Sequence, residues 1–380
     1  MDNSFHREEN MDMEESCESR QAVPHRRGCG GRRRHSFFFI LAVSVLLFFC
    51  SRNMEDVASD WRPTFWMQYM ATKWWTRLKT EAFLNVSTNN LFGVTSETSP
   101  VSQSPYIVAY PHEYHFIINE PKKCEDQKSF VVLMVPVAPH NRRQRDIIRR
   151  TWGGNRVVLG KVVTVLFLLG LHTGEPVPHM EEHLQQESIE HQDLIQSSFQ
   201  DCYNNLTIKT MVMLEWLNFY CSEVSYAMKI DSDIFLNVPN LITMLLNAQK
   251  TNYMTGLVAR EAAVLRDHTS KWYLPVDIYP KPQYPRYALG LAYVLSLDLP
   301  KKLLEASRHV KAIYIEDVYL GLCMEYLNIP PTDPPNWDYF QVFPVPYNRC
   351  SYSRLVATTL DNNTDLLWVW KDFNQAGKSC

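Results

Sequence analysis

Two aspartates separated by one residue follow a short apolar stretch, where the sequence reads KIDSDIFLN. The carboxylates of Asp231 and Asp233 repel each other and resist losing water, so we expect a positive charge to compensate them. Paired carboxylates at the end of a strand suit a hard divalent cation, and Mg²⁺ or Mn²⁺ commonly bridges them to phosphate groups. A solvated turn after a strand gives the same pattern, and the neighbouring Lys229 either pairs with a carboxylate or lies on the surface.

A second acidic pair, Glu316 and Asp317, begins a stretch with the sequence EDVYLGLCMEYL. The stretch predicts a helix, and an acidic residue at its start stabilises the N-terminus, so capping alone explains the pair. The functional alternative is a general base in a cleft. Spacing alone favours capping.

Basic residues offer a way to hold a phosphate group. The segment RQRDIIRR places Arg145 and Arg149 on one face of a predicted helix, which is either a phosphate-binding face or a solvated one. The segment GGNRVVLGK resembles a P-loop but fails, because five residues separate Gly154 from Gly160 and Val162 follows the lysine. A phosphate ligand would therefore be held by a metal ion and arginines.

Strands and helices that alternate along the chain are expected to position these residues. Short apolar runs predict strands at 130–135, 161–170 and 223–230, and amphipathic stretches predict helices at about 141–152, at 205–221 and after Pro239. This alternation predicts an α/β fold with a largely parallel central sheet. Ligands bind beyond the carboxyl ends of the strands in such sheets, and Asp231 and Asp233 follow one of those ends.

An uncharged apolar run, Ser36–Cys50, follows a cluster of five arginines near the N-terminus. It is shorter than the roughly 20 residues that span an average bilayer, but suits a thinner membrane of the early secretory pathway. A cleaved signal peptide is the alternative; the long preceding tail and the lack of a small-residue cleavage site favour an uncleaved anchor. The arginines predict a cytoplasmic tail (1–35), a single transmembrane anchor (36–50), a lumenal stem (51–113) and a lumenal domain (114–380).

Several features beyond the predicted anchor agree with a lumenal location. Three glycosylation sequons begin at Asn85, Asn205 and Asn362. Six cysteines in the same region suit an oxidising compartment and allow 15 full pairings, among which the sequence does not choose. The formal net charge of −3 gives no footprint for nucleic acid.

The order of these motifs is more specific than any one of them. From about residue 114 to the C-terminus, the chain carries in order FIINEPKKC, RQRDIIRRTWG, FLLG, DCYNNLTIKT, KIDSDIFLNV, KWYLPVDIYPKPQYPRYALGLAYVLS and EDVYLGLC. In this set it resembles the animal β-1,3-galactosyltransferases.

The resemblance implies a GT-A-like glycosyltransferase fold and a set of site residues. Asp233 matches the aspartate that binds Mn²⁺ on UDP-galactose, and Asp317 matches the general base. Such enzymes invert the anomeric centre, which requires a base for the acceptor hydroxyl and an electrophile for the departing UDP. The resemblance places five further residues on the nucleotide side: Arg145, Arg149, Trp152, Lys229 and Asp231.

The function implied is transfer of galactose in β-1,3 linkage to a terminal N-acetylglucosamine of glycoprotein or glycolipid glycans. The implied location is the Golgi membrane, with a single-pass type II topology. UDP-N-acetylglucosamine is the alternative donor, because related enzymes share the motifs. A lumenal glycan-binding protein with weak catalysis is the alternative of a different class.

The chain departs from the family pattern at several positions. Leu289 to Ala292 read LGLA where relatives usually have a small-residue and glycine-rich stretch. Ser198 and Cys202 replace an aspartate and a serine around the DCYNN segment. Thr359 stands where relatives carry a histidine in a VHQ-like stretch, a residue type that is able to bind a divalent metal. These departures bear on turnover more than on the fold.

Overall fold

The computed structural model describes residues 104–174, 177–361, 363–375 and 380. The predicted tail, the anchor, most of the stem and the sequon asparagines Asn85 and Asn362 lie outside them. No helix that the structure describes is long and apolar enough to cross a membrane.

Eleven strands lie in the described part of the chain. They are β1 (Phe116–Ile118), β2 (Val131–Pro136), β3 (Val157–Val158), β4 (Lys161–Leu171), β5 (Leu194–Gln200), β6 (Tyr226–Ile230), β7 (Ile234–Leu236), β8 (Met254–Ala259), β9 (Tyr287–Ser296), β10 (Phe340–Gln341) and β11 (Ala357–Thr359). The main sheet has the order β1-β5-β4-β2-β6-β9-β8, with β3 paired to β4, and a smaller sheet has the order β10-β11-β7.

Helices connect and cover the strands. In the described residues they are α1 (Lys123–Gln127), α2 (Arg142–Arg150), α3 (Met180–His191), α4 (Leu206–Tyr220), α5 (Val238–Leu246), α6 (Leu299–Ala306), α7 (Glu316–Tyr326), α8 (Arg349–Tyr352) and α9 (Leu366–Phe373). Asn141 caps α2 by accepting the Gln144 N–H, and Asn237 caps α5 with a proline in its first turn.

The main sheet is buried on both faces, which explains its apolar strands. Side chains alternate along β2, so Val132 and Met134 pack on one side while Val131 and Leu133 pack on the other. Helices α4, α6 and α7 cover the first face, and α2, α5 and α9 cover the second. The result is a three-layer α/β arrangement that leaves the strand ends accessible.

The prediction of a largely parallel sheet is correct only for its centre. Strands β5, β4, β2 and β6 are parallel, whereas β1, β9 and β8 pair antiparallel to their neighbours. Strands β8 and β9 are joined by the connection 260–286 instead of a crossover helix, and this connection allows them to run in opposite directions. The sheet is therefore mixed.

Two disulfides are present among the described residues. Cys124–Cys221 joins α1 to the end of α4, and Cys350–Cys380 joins α8 to the C-terminal residue. Cys202 is also disulfide-bonded, whereas Cys323 is a buried free thiol. Disulfides of this kind are what the sequence led us to expect for a domain in an oxidising compartment.

Candidate active site

The aspartate pair forms the short connection between two strands. The backbone N–H of Asp231 donates to the Leu291 carbonyl at 3.0 Å, which continues the antiparallel register of β6 and β9 beyond Ile230. Strand β7 begins at Ile234, so residues 231–233 turn directly from one sheet into the other. Both aspartate side chains are partly exposed at this edge.

Lys229 supplies the positive charge that the aspartates require. Its buried ammonium lies 2.7 Å from Asp231 Oδ1 and 3.2 Å from Glu316 Oε1, and it also donates to the Gly290 carbonyl. The ammonium thus has two carboxylates and one carbonyl oxygen around it. Burial opposes the charge, but Asp231 and Glu316 together raise the pKa of Lys229 above its usual value. The two carboxylates therefore favour the charged form of Lys229 inside the site.

Asp317 is held by the neighbouring strand. Its Oδ2 accepts the Gly290 N–H at 2.9 Å, and its Oδ1 accepts the Val318 N–H at 2.8 Å. The N-cap residue of α7 is Ile315 and not Asp317. Because Asp317 also bonds to Gly290 on strand β9, its side chain does more than stabilise the start of its own helix. Burial raises the pKa of Asp317, against the effect of the two backbone donors. This combination suits a carboxylate that must accept a proton.

Glu316 joins the same cluster, although only Asp317 of this acidic pair was assigned a role at the site. It is 7% exposed, and its Oε2 accepts hydrogen bonds from Thr210 at 3.2 Å and Tyr293 at 3.4 Å. Burial raises the pKa of Glu316 to about 7, although the Lys229 ammonium acts to lower it. The sequence did contain a signal for this role of Glu316, since a second carboxylate directly precedes Asp317 at the start of a helix that packs on the sheet.

The two arginines of α2 lie behind the turn and are bound to carboxylates of the domain. Arg145 is fully buried, and its Nε and Nη2 contact the two Glu187 oxygens at 2.7 Å each. It also donates to the Ala138 carbonyl at 3.0 Å, which fixes the loop after β2. Arg149 binds Asp193 through two hydrogen bonds and Glu187 through a third. This arrangement shows them holding the scaffold, and direct nucleotide contact stays a prediction.

Helix α2 and the residue after it also fix the backbone of the aspartate turn. Gln144 Nε2 donates to the Ser232 carbonyl at 2.5 Å, and Trp152 Nε1 donates to the Ile234 carbonyl at 3.0 Å. Trp152 is fully buried beneath the turn. Its predicted role on the nucleotide side stays a prediction. The RQRDIIRRTW segment therefore positions the aspartates through their main chain.

A further buried ion pair supports the carboxyl ends of the parallel strands. Lys209 Nζ lies 2.7 Å from Asp201 Oδ2 and also donates to the Val137 carbonyl at 3.1 Å. Asp201 accepts the Gly170 N–H at 2.8 Å. Residues after β2, within β4 and after β5 are thereby joined. This ion pair was not predicted, although a lysine inside the apolar helix α4 was a visible signal in the sequence.

Thr359 lies next to the aspartate turn in the smaller sheet. It pairs with Ile234 across the antiparallel strands β11 and β7, and the next residue, Leu360, donates its N–H to the Asp233 carbonyl at 3.2 Å. Thr359 is 3% exposed. Because Thr359 lies opposite Ile234 in an antiparallel pair, Leu360 lies opposite Asp233. Directly opposed residues have their side chains on the same face of a sheet.

The predicted site residues thus fall into three groups. Lys229, Asp231 and Asp317 meet at the junction of β6, β9 and α7, together with Glu316. Asp233 lies at the far end of the turn beside β11, and the residues of the α2 segment lie behind it. Within the described ranges, no group of three or more His, Cys, Asp or Glu side chains is arranged to hold a metal ion.

Comparison with known proteins agrees with this geometry. The family model described as Galactosyltransferase matches residues 143–335, a range that includes the aspartate turn and Asp317. Beta-1,3-galactosyltransferase 1 of Mus musculus is 32% identical over 319 residues, which cover 83% of this chain and 93% of that protein. The chain belongs to the galactosyltransferase family. The resemblance inferred from its motifs is confirmed.

Other galactosyltransferases are also similar. Beta-1,3-galactosyltransferase 2 of Homo sapiens is 38% identical over 271 residues, or 70% of this chain. The match spans 64% of that relative's length. Among solved structures, the apo form of the bifunctional glycosyltransferase WbbM has 10% sequence identity and a TM-score of 0.39, covering 64% of this chain and 49% of that chain. A TM-score this low does not establish a shared fold.

Proposed function

We propose that this galactosyltransferase-family chain transfers galactose from UDP-galactose to a terminal N-acetylglucosamine of glycoprotein or glycolipid glycans, in β-1,3 linkage. The observation that carries the proposal is the placement of the Asp317 carboxylate, which the Gly290 N–H holds 2.9 Å away on the strand next to the aspartate turn. A base and a diphosphate-binding turn thereby share one edge of a GT-A-like domain. The names of the similar proteins support the same activity.

In the proposed reaction, the acceptor hydroxyl attacks the anomeric carbon on the face opposite the UDP group. A carbon–oxygen bond to the acceptor forms while the bond to the diphosphate oxygen breaks, so the linkage changes from α to β. Asp317 takes the hydroxyl proton. Each of its oxygens already accepts one backbone N–H, which fixes the carboxylate plane and leaves a lone pair for the acceptor.

The residues at the turn fit a hard divalent cation, for which we propose Mn²⁺. Asp233 would hold it, because a partly exposed carboxylate at a strand edge is a suitable oxygen ligand. Diphosphate oxygens and water would supply further oxygen ligands, as is usual for such ions beside nucleotides. When bound, such an ion stabilises the negative charge of the departing diphosphate.

The remaining predicted residues are proposed to act around that turn. Asp231 and Lys229 would orient the nucleotide while they neutralise each other. Arg145, Arg149 and Trp152 would act on the nucleotide side by holding the loop after β2 and the turn itself. We further propose that the protein is a single-pass type II protein of the Golgi membrane, with this domain in the lumen.

The proposal is tested by a panel of donors and acceptors. Residues 104–380 are produced as a secreted protein and assayed with Mn²⁺. The donors are UDP-galactose and UDP-N-acetylglucosamine, and the acceptors end in N-acetylglucosamine, galactose or N-acetylgalactosamine. We expect galactose transfer to the first acceptor and a β-1,3 product by NMR. Preference for UDP-N-acetylglucosamine would replace the proposed donor. Binding of glycans without transfer or hydrolysis of either donor would favour the glycan-binding alternative.

Thr359 gives a prediction about the metal requirement. A threonine hydroxyl is a poor ligand for Mn²⁺, whereas an imidazole is a good one. We expect the wild type to be active but to need more Mn²⁺ than its relatives, and Thr359→His to lower the half-saturating Mn²⁺ concentration. The measurement is the Mn²⁺ dependence of the transfer rate.

The competing variant is Leu360→His, because Leu360 lies opposite Asp233 in the strand register whereas Thr359 lies opposite Ile234. If only Leu360→His lowers the half-saturating Mn²⁺ concentration, position 360 faces the ion and Thr359 does not. An unchanged value in both variants would remove this part of β11 from the metal site.

A further inference from the structure

One buried carboxylate beside the base has no part in the proposed reaction. Glu316 is the first residue of α7, directly before Asp317, yet its side chain is directed into the protein. Its Oε1 lies 3.2 Å from Lys229 Nζ on β6. Its Oε2 contacts the Thr210 hydroxyl on α4 and the Tyr293 hydroxyl on β9. Glu316 therefore joins four elements at the point where the base is presented.

Gly290 connects this carboxylate to the base. Its N–H donates to Asp317 Oδ2 at 2.9 Å, and its carbonyl accepts from the Lys229 ammonium. A side chain at this position has no space, because a Cβ would lie 2.8 Å from Glu316 Oε1 and 3.5 Å from Asp317 Oδ2. Lys229 and Glu316 thus contact the same short piece of backbone that orients Asp317.

We infer that Glu316 is a positioning residue, which acts through Lys229 and the Gly290 backbone to fix the direction in which Asp317 meets the acceptor hydroxyl. The inference rests on the proposed function of Asp317. A buried carboxylate costs desolvation energy that an apolar side chain would not, and here Lys229 offsets that cost. Compared with an apolar residue, the Lys229–Glu316 pair adds a geometric constraint on Asp317.

The size of the effect follows from the sensitivity of transfer to alignment. A misplacement of about 1 Å costs up to about 10²-fold in rate. Glu316→Gln keeps the side-chain shape and one acceptor oxygen but removes the charge that holds Lys229. The ammonium is left with Asp231 and the Gly290 carbonyl, and it is drawn towards Asp231. Gly290 and the Asp317 carboxylate are expected to shift with it.

The test is a double-mutant cycle with Asp317→Asn, measured as transfer from radiolabelled UDP-galactose. Glu316→Gln is expected to lower kcat by about 10- to 100-fold, with KM for UDP-galactose changed by less than about twofold. In the Asp317→Asn background, the same substitution is expected to change the residual rate by less than about twofold, because the base that it positioned is absent. A residue that supports only folding does not give this dependence.

The control is Glu215→Gln, which alters a partly buried carboxylate bonded to the Tyr110 hydroxyl at 2.7 Å, on the same helix as Thr210. It is expected to leave kcat unchanged. If Glu316→Gln does not fold, Thr210→Val replaces it in the cycle, since this variant removes only the hydroxyl that contacts Oε2. We expect about a threefold fall in kcat that is again absent with Asp317→Asn.

Three results would overturn the inference while leaving the proposed function intact. They are an equal fall in both backgrounds, no fall in the wild-type background, and a fall expressed as a raised KM for the donor. The last result would mean that Glu316 acts through Asp231 on the nucleotide. A near-normal rate in Asp317→Asn alone would overturn the assignment of the base and the inference together.

Discussion

Asp317→Asn is expected to slow galactose transfer by about 10² to 10⁴-fold, which is the typical contribution of general-base catalysis. The amide oxygen keeps one of the two backbone hydrogen bonds, that of the Gly290 or the Val318 N–H, whereas the amide nitrogen cannot accept the other, and the group cannot take a proton. Affinity for UDP-galactose should change little because the acceptor, not the donor, meets this residue. The measurements are kcat with saturating donor and calorimetric binding of UDP-galactose.

The control for this variant is Asp298→Asn, at the start of α6. Asp298 also begins a helix and accepts backbone and side-chain hydrogen bonds from Asn252 and Lys302. This change is expected to lower stability without altering the rate. If Asp317→Asn behaved in the same way, Asp317 would be a helix-terminal residue and not the base.

The same assignment predicts the acid limb of the pH–rate profile. The base acts only when ionised, so the rate is present above the pKa of Asp317 and is lost as the pH falls through it. Because burial raises this pKa, the limb should lie above the range of an ordinary aspartate. The profile of Asp317→Asn should lack that limb.

The second large effect is expected for Asp233→Ala, which should abolish Mn²⁺-dependent transfer while the domain stays folded. Asp233 is the carboxylate proposed to hold the ion, and alanine has no ligand to replace it. Its backbone carbonyl still accepts the Leu360 N–H, so strands β7 and β11 remain paired. Transfer is measured across a Mn²⁺ series, with circular dichroism to monitor folding.

A matched control removes an aspartate elsewhere. Asp126 is exposed on α1, and Asp126→Ala should leave both the rate and its Mn²⁺ dependence unchanged. Near-normal transfer by Asp233→Ala in the presence of a chelator would exclude the proposed metal role of this residue.

The sequence predicted the elements with strong patterns. Continuous apolar runs identified β2 and β4, because both faces of these strands are buried, and alternating apolar residues identified β6. Helix signals along the sequence identified α2 and α4. Strand β5 was missed because polar residues occupy its middle, and β9 because it follows a segment rich in prolines. The position of Asp231 after a buried strand suggested a site or a solvated turn at that edge, and the order of the motifs favoured the site.

Contacts between distant segments could not be predicted in this way. Arg145 and Glu187, or Lys209 and Asp201, pair only because the fold brings α2 to α3 and α4 to the end of β5. A pattern in one segment does not specify the partner of a charge. The structure shows that both arginines hold the scaffold, a role that their spacing on α2 did not indicate, and their contact with the nucleotide stays a prediction.

The three contacts of the Lys229 ammonium, one hydrogen bond and two ion pairs, have a consequence for how the domain reaches an active form. They extend to residues at 231, 290 and 316, so two of them close only after segments far apart in sequence have docked. Contacts of such long sequence separation form late, since loop closure must precede them. A newly made chain that has formed its strands but has not yet docked α7 would contain both acidic pairs, Asp231 with Asp233 and Glu316 with Asp317. It would nevertheless transfer no sugar.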